Sequence, residues 1–276
     1  MIELPHERER LVEAGPFAVQ TSTAGSGPPL FMLNGLGASL EVLVPLRRAL
    51  PDFRTLAFDP PGVGRSRAID WPMRLPGHAD AAVRVLDHAG WDKVDVFGVS
   101  WGGALAQELA HRHPDRVDRL VLTSTTPGPG LLVLPSTYLA FFDTRTRTSD
   151  EYIERVAPRL FGGRARDDAR ALLDTGIYRK LARKNSKSYL FQMAAAAGWS
   201  SLRYLWRLPQ ETLIVTGDDD PLVRPYNSTI LNLLIRRSTL KVIPGEGHLL
   251  IVTAADRLAS LIRDFLPPRE ELRLAA

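Results

Sequence analysis

Residues 94–113 constrain the fold more than any other stretch of the chain. Val94-Asp95-Val96-Phe97-Gly98-Val99 is apolar and β-branched, as a buried strand requires, and at Ser100 it passes directly into a helical pattern over residues 101–113. A strand that turns into a helix across one residue leaves that residue on a strained backbone. Side chains two positions to either side would collide across the turn, and glycine stands at both, Gly98 and Gly102. Gly98-Val99-Ser100-Trp101-Gly102 therefore reads as a G-x-S-x-G turn that holds a serine hydroxyl above the end of a sheet. The turn also sets Ser100 at a helix N-terminus, where backbone N–H groups favour developing negative charge. A glycine-rich turn with an incidental serine would need neither the strand before it nor the helix after it.

The same alternation extends along the chain. Short apolar runs at residues 30–33, 55–58, 94–99, 117–122, 212–215 and 240–243 read as buried strands, and helical patterns cover 40–50, 77–89, 101–113, 226–235 and 250–265. This predicts an α/β fold with a mostly parallel central sheet covered by helices on both faces. Residues 10–23, broken by Ala14-Gly15-Pro16, suggest an antiparallel hairpin at its edge. Between residues 127 and 209 the alternation stops. Pro127-Gly128-Pro129-Gly130 marks the exit, and Thr148 with Glu151 resembles a capping box. Ile153, Val156, Ala157 and Leu160 share one helix face that Pro158 should kink, and later helices should end at Gly176 and Gly198. The expected organisation is a core of residues 1–126 and 209–276 with a helical cap, residues 127–208, inserted into it.

Composition removes several chemistries. With no cysteine among 276 residues, disulfides, thiolate metal sites and cysteine nucleophiles are excluded. The first ten residues carry five charges and no apolar run, and the apolar stretch 131–142 is short and interrupted. Neither a cleaved signal peptide nor a transmembrane segment is expected, and the default location is the cytoplasm. Residues 155–207 hold twelve Lys or Arg against three acids. No zinc-finger spacing or RNA-recognition motif accompanies them, so nucleic acid is not an expected partner. Their interleaving with apolar residues suits a solvated helix face or an anionic surface. Gly35-x-Gly37 followed by Asp59 partly mimics a dinucleotide fingerprint, but Leu40 fills the third small-residue position and no phosphate-binding loop exists. His111-x-His113 lies at helix positions that do not face each other. No cofactor and no metal are expected.

A serine hydroxyl needs a base, and the base an orienting acid. Of six histidines, His248 is best placed, after a late strand and the turn Pro244-Gly245-Glu246-Gly247. His6, His78, His88, His111 and His113 read as structural, His78 and His88 flanking a helix. Ile214-Val215-Thr216-Gly217-Asp218-Asp219-Asp220-Pro221 carries a strand into three candidate carboxylates. One oxyanion donor is expected from the N–H of Trp101, just after the serine. The other should come from the loop Phe31-Met32-Leu33-Asn34-Gly35-Leu36-Gly37, at the N–H of Leu36.

The chain order Ser, Asp, His resembles that of α/β-hydrolases. In them the acid commonly lies three residues after the strand-end glycine, which implies Asp220, with Asp219 as the fallback. Longer stretches resemble one family more closely. Asn34-Gly35-Leu36-Gly37-Ala38-Ser39-Leu40-Glu41, with Asn-Gly where His-Gly is usual, is similar to intracellular depolymerases of medium-chain-length poly(3-hydroxyalkanoate). So are Phe58-Asp59-x-Pro61-Gly62-Val63-Gly64 and Val99-Ser100-Trp101-Gly102-Gly103-Ala104-Leu105-Ala106-Gln107. Gly198-Trp199, Gly217-Asp218-Asp219-Asp220-Pro221-Leu222 and Gly247-His248-Leu249 continue the similarity, which runs from about residue 28 to 266. The resemblance implies an α/β-hydrolase fold with a lid, Ser100 as nucleophile, Asp220 as acid and His248 as base. It also implies an ester or polyester substrate and a polyhydroxyalkanoate granule as the surface that the aromatic, basic cap would meet. A soluble carboxylesterase, lipase or lactonase for small esters is the alternative with the same residues. A catalytically silent binding protein on this fold would have no use for an intact triad. Dehalogenases and epoxide hydrolases need an aspartate at position 100, and a polyhydroxyalkanoate synthase needs cysteine there.

Overall fold

The structure, a computed structural model, describes residues 4, 6–128, 150–168 and 186–267. Eight strands form one sheet in the order β1-β2-β4-β3-β5-β6-β7-β8. β1 (Arg8–Ala14) and β2 (Phe17–Ala24) make the antiparallel hairpin at the edge. Gly15 takes φ +69° at its tip and Pro16 follows, the φ signs of a type II′ turn, whose twist suits a hairpin. β2 runs antiparallel to β4 (Arg54–Phe58). From there on β3 (Pro29–Leu33), β5 (Val94–Val99), β6 (Val117–Thr123), β7 (Glu211–Gly217) and β8 (Ser238–Ile243) pair parallel with their neighbours.

In chain order the described helices are α1 (Val44–Arg48), α2 (Leu75–Ala89), α3 (Trp101–Arg112), α4 (Asp150–Phe161), α5 (Arg164–Asp167), α6 (Ser186–Ala196), α7 (Tyr226–Leu234), α8 (Leu250–Thr253) and α9 (Ala255–Phe265). Period-two alternation sends the strand side chains to two cores. Phe31, Leu33, Val94, Val96, Leu120, Leu122 and Ile214 meet α2, α3 and α7 on one face. Leu30, Met32, Phe97, Val99, Val121, Leu213 and Val215 meet α1, α8 and α9 on the other. From β4 across to β7 the sheet is thus buried on both sides, which is why these strands read as nearly continuous apolar runs, whereas β1 and β8 at its edges are largely exposed.

Three helical expectations need correction. The pattern at 40–50 opens as a 3-10 turn, Leu40–Leu43, before α1. The pattern at 250–265 is two helices, broken at Ala254, whose φ of −131° cannot continue an α-helix. His78 and His88 do not flank a helix but lie inside α2, His78 buried and His88 in its last turn. Between β6 and β7 the described chain is helical, and α4 runs on through Pro158. Gly198, at φ +73°, follows two residues after α6. Thr148 of the expected capping box, Pro129-Gly130 and the expected helix end at Gly176 lie outside the described residues. A small third cluster, Ala157, Phe161 and Ala165 with Leu222 and Val223, seats α4 and α5 on the loop after β7. Among the described residues no helix is long and apolar enough to cross a membrane.

Arg119 of β6 braces the opposite end of the sheet. Its guanidinium forks onto Asp95 of β5 at 2.9 and 2.7 Å and reaches the carbonyl of Phe265, the last residue of α9, at 3.3 Å. Asp95 is only 2% exposed, so removing its partner would leave a buried charge uncompensated. Arg119→Met is expected to lower unfolding stability in urea by about 3 kcal/mol. Arg263→Met, which breaks the exposed pair with Asp52, is expected to change it by less than about 1 kcal/mol.

Candidate active site

β3 is hydrogen-bonded to β4 on one side and β5 on the other, so the chain reverses its direction of travel across the sheet here. Loops leaving the carboxyl ends of β3 and β5 therefore diverge around a crevice, the usual place for a ligand in an open α/β sheet. Leu33 stands beside Gly98 in the ladder, which brings the Asn34–Gly37 loop next to Ser100.

Ser100 has φ +54° and ψ −120°, a conformation that side-chain-bearing residues rarely take. The surrounding glycines make it attainable. A Cβ on Gly98 would stand 2.5 Å from the carbonyl oxygen of Gly102, and one on Gly102 only 2.2 Å from that of Leu33. Ser100 N–H donates to the Thr123 carbonyl at 2.9 Å, and the Thr125 hydroxyl donates to the Ser100 carbonyl at 2.7 Å. The elbow is thereby held from β6 as well as from its own strand.

His248 arrives from the loop after β8. Its Nε2 lies 3.1 Å from the Ser100 hydroxyl and its Nδ1 2.8 Å from Oδ2 of Asp220. Asp220 and His248 are both buried. The other carboxylate oxygen of Asp220 accepts the N–H groups of Leu222 at 2.9 Å and Val223 at 2.8 Å, which fixes its plane. Its two neighbours point elsewhere. Asp218 accepts the N–H of Gly245, and Asp219 accepts from Gly163 N–H and the Arg166 guanidinium, each at 2.7 Å. Of the three consecutive aspartates, only Asp220 meets the imidazole.

The Asn34–Gly37 loop packs against Ser100, with a Cβ on Gly35 falling 3.6 Å from that of Ser100. Asn34 ties the loop to itself. Its Oδ1 accepts the Gly35 N–H at 2.8 Å and its Nδ2 donates to the Ser39 carbonyl at 2.5 Å. Among the described residues neither the N–H of Leu36 nor that of Trp101 has an acceptor, so both are available to an incoming oxygen. The Trp101 ring meets the His78 ring edge-on, 5.1 Å between centroids.

Two residues were not singled out from the sequence. Gln192 of α6 accepts the Gly37 N–H through Oε1 at 2.7 Å and the Trp101 indole N–H through its own carbonyl at 3.1 Å. The carbonyl of Phe161, at the end of α4, accepts the backbone N–H of His248 at 2.7 Å. The glycine pair Gly162-Gly163 was the available signal for the second, since adjacent glycines often mark close backbone approach. The basic stretch is partly neutralised here too. Arg164 pairs with Glu246, Arg166 with Asp219 and Lys187 with Asp70.

A family model described as the alpha/beta hydrolase fold matches residues 28–255. A poly(3-hydroxyalkanoate) depolymerase from Ectopseudomonas oleovorans is 36% identical over 262 residues, covering 93% of this chain and 92% of that protein. A 2-hydroxymuconate semialdehyde hydrolase from Pseudomonas sp. (strain CF600) is 30% identical, covering 88% of each. Among solved structures, the enol-lactonase from Burkholderia xenovorans LB400 superposes with a TM-score of 0.81 at 20% identity, over 92% of this chain and 98% of that one. That last likeness is one of fold.

Burial lowers the pKa of His78 from 6.5 to about 4. Between those values the unfolded chain binds a proton at this site that the folded chain refuses. Stability therefore falls as pH drops from 6.5 toward 4, by at most about 1.4 kcal/mol per pH unit from this group. His78→Gln is expected to flatten the dependence of the unfolding midpoint on pH in that window, measured against the parent protein. Gly102→Ala, which drives a methyl group into the Leu33 carbonyl, is expected to lower the melting temperature and remove activity together.

Proposed function

We propose that this chain, which belongs to the α/β-hydrolase fold family, is a serine hydrolase that cleaves carboxylic esters through an acyl-enzyme. We infer further that its substrate is intracellular medium-chain-length polyhydroxyalkanoate, released as 3-hydroxyalkanoic acids. The observation that carries the first reading is His248, hydrogen-bonded on one side to Ser100 and on the other to Asp220. The 36% identical depolymerase supports the second.

In this reading Ser100 Oγ attacks the ester carbonyl carbon while His248 Nε2 takes its proton. Asp220 keeps Nδ1 protonated and stabilises the imidazolium. The N–H groups of Leu36 and Trp101 hold the oxyanion, each such donor contributing about 3 kcal/mol to the barrier reduction. The imidazolium then protonates the departing alkoxide oxygen. Water, deprotonated by the same nitrogen, attacks the acyl carbon and frees the serine. The core is residues 1–126 and 209–276, and residues 127–208 form the lid. The lid's aromatic and basic side chains would meet the hydroxyacyl chains or the coated granule.

Purified protein is expected to clear an emulsion of poly(3-hydroxyoctanoate) and to hydrolyse the eight-carbon p-nitrophenyl ester faster than the two-carbon one, with Ser100→Ala inactive on both. Preference for the acetate ester with no clearing would instead favour a carboxylesterase or lactonase for small substrates. Asp220→Asn is expected to lower kcat about 10⁴-fold by stabilising the wrong imidazole tautomer, whereas Asp219→Asn should retain far more of the rate.

A further inference from the structure

We propose that Gln192 forms a subsite beside the oxyanion donors that hydrogen-bonds an oxygen on the third carbon of the acyl chain, so that 3-oxygenated acyl esters are preferred to plain ones. This rests on the ester-hydrolase reading above and names the feature by which its substrate would be recognised.

Gln192 is 1% exposed and bridges both arms of the oxyanion site. Its Oε1 holds the N–H of Gly37, the residue after Leu36, and its carbonyl holds the indole of Trp101. Since Gly37 offers an N–H, only the oxygen of the side-chain amide can face it. Chemistry thus fixes which head of the amide is which. The remaining head, Nε2, is buried and has no acceptor among the described residues. A buried amide donor without a partner is disfavoured, and a bound molecule that brings an acceptor removes the penalty.

The substrate carbonyl oxygen is already served by Leu36 and Trp101. Nε2 is joined through one carbon to the oxygen that binds the Gly37 N–H, one residue along from Leu36, and this closeness in the chain is what links it to the oxyanion loop. In a 3-hydroxyacyl ester the next oxygen sits two carbons along the chain from the carbonyl carbon. A plain fatty acyl ester has a methylene there and leaves Nε2 unpaired. Sites built around a buried polar group discriminate against the analogue that lacks its partner. Every repeat of a poly(3-hydroxyalkanoate) carries an oxygen at this carbon.

The test compares kcat/KM for the p-nitrophenyl esters of 3-hydroxyoctanoate and octanoate in the parent protein, Gln192→Glu and Gln192→Met. Glutamate keeps an oxygen for Gly37 but replaces the NH₂ donor, whereas methionine removes both groups. The parent is expected to favour the 3-hydroxy ester, and both variants are expected to reduce that preference about tenfold. A parent ratio at or below one overturns the subsite without recourse to any variant. Ratios unmoved in both variants overturn it as well, leaving Gln192 as a support for the Gly37 loop or a third donor to the carbonyl oxygen. A parent protein that hydrolyses neither ester overturns the ester-hydrolase reading and the subsite with it, a result distinct from an unmoved ratio.

Discussion

The carbonyl oxygen of Leu33 occupies the space that any side chain on residue 102 would need. That approach lets α3 begin against the end of β3, with a single residue, Ser100, between it and the end of β5. Ser100 is pressed into a positive φ as a result, and the loop after β3 packs against its side chain at Gly35. In the proposed reading, the two oxyanion donors come from the loop after β3 and from the first residue of α3. The strain at one residue is a cost of order 1–3 kcal/mol that the rest of the sheet must over-determine, and it does so from Thr123 and Thr125 of the neighbouring strand and its exit.

Asp220 and His248 reach the serine from the loops after β7 and β8, and the segment that follows α4 holds those loops together. Phe161 takes the N–H of His248 while Gly163 donates to Asp219, so one short stretch of backbone grips both loops. The fit leaves no room for side chains: a Cβ on Gly247 would stand 2.0 Å from the Phe161 oxygen. Arg164 and Arg166 add pairs with Glu246 and Asp219 from the same stretch. Both arginines are more than half exposed, so each pair contributes little alone. The backbone contacts carry the geometry. Part of the positive charge that looked like a binding surface is therefore spent on cohesion between this segment and the acid and histidine loops.

The central strands were readable because burial on both faces imposes a plain apolar run, and each strand, the exposed edges β1 and β8 included, lies within two residues of its predicted bounds. Helix ends were less so. The break at Ala254 carries no glycine or proline to mark it; α8 and α9 both pack into the core that holds α1. His78 looked peripheral because its histidine character hid a core position, and only its place on the buried face of α2 reveals it. The serine and histidine stood out because special turns surround them. The choice among Asp218, Asp219 and Asp220 could not be made from an acidic turn by itself; it needed the resemblance, and in the folded chain each carboxylate has a different partner. Gln192 gave no signal at all, because a glutamine in a helix is ordinary until its neighbours across 155 residues of sequence are known.

The central claim is that the imidazole of His248 activates the hydroxyl of Ser100, and covalent labelling by a fluorophosphonate, followed by intact mass and peptide mapping, measures it directly. A single adduct on Ser100, forming far more slowly once His248 is replaced by alanine, is the predicted result. An adduct elsewhere, no adduct, or one forming equally fast without the imidazole would contradict it.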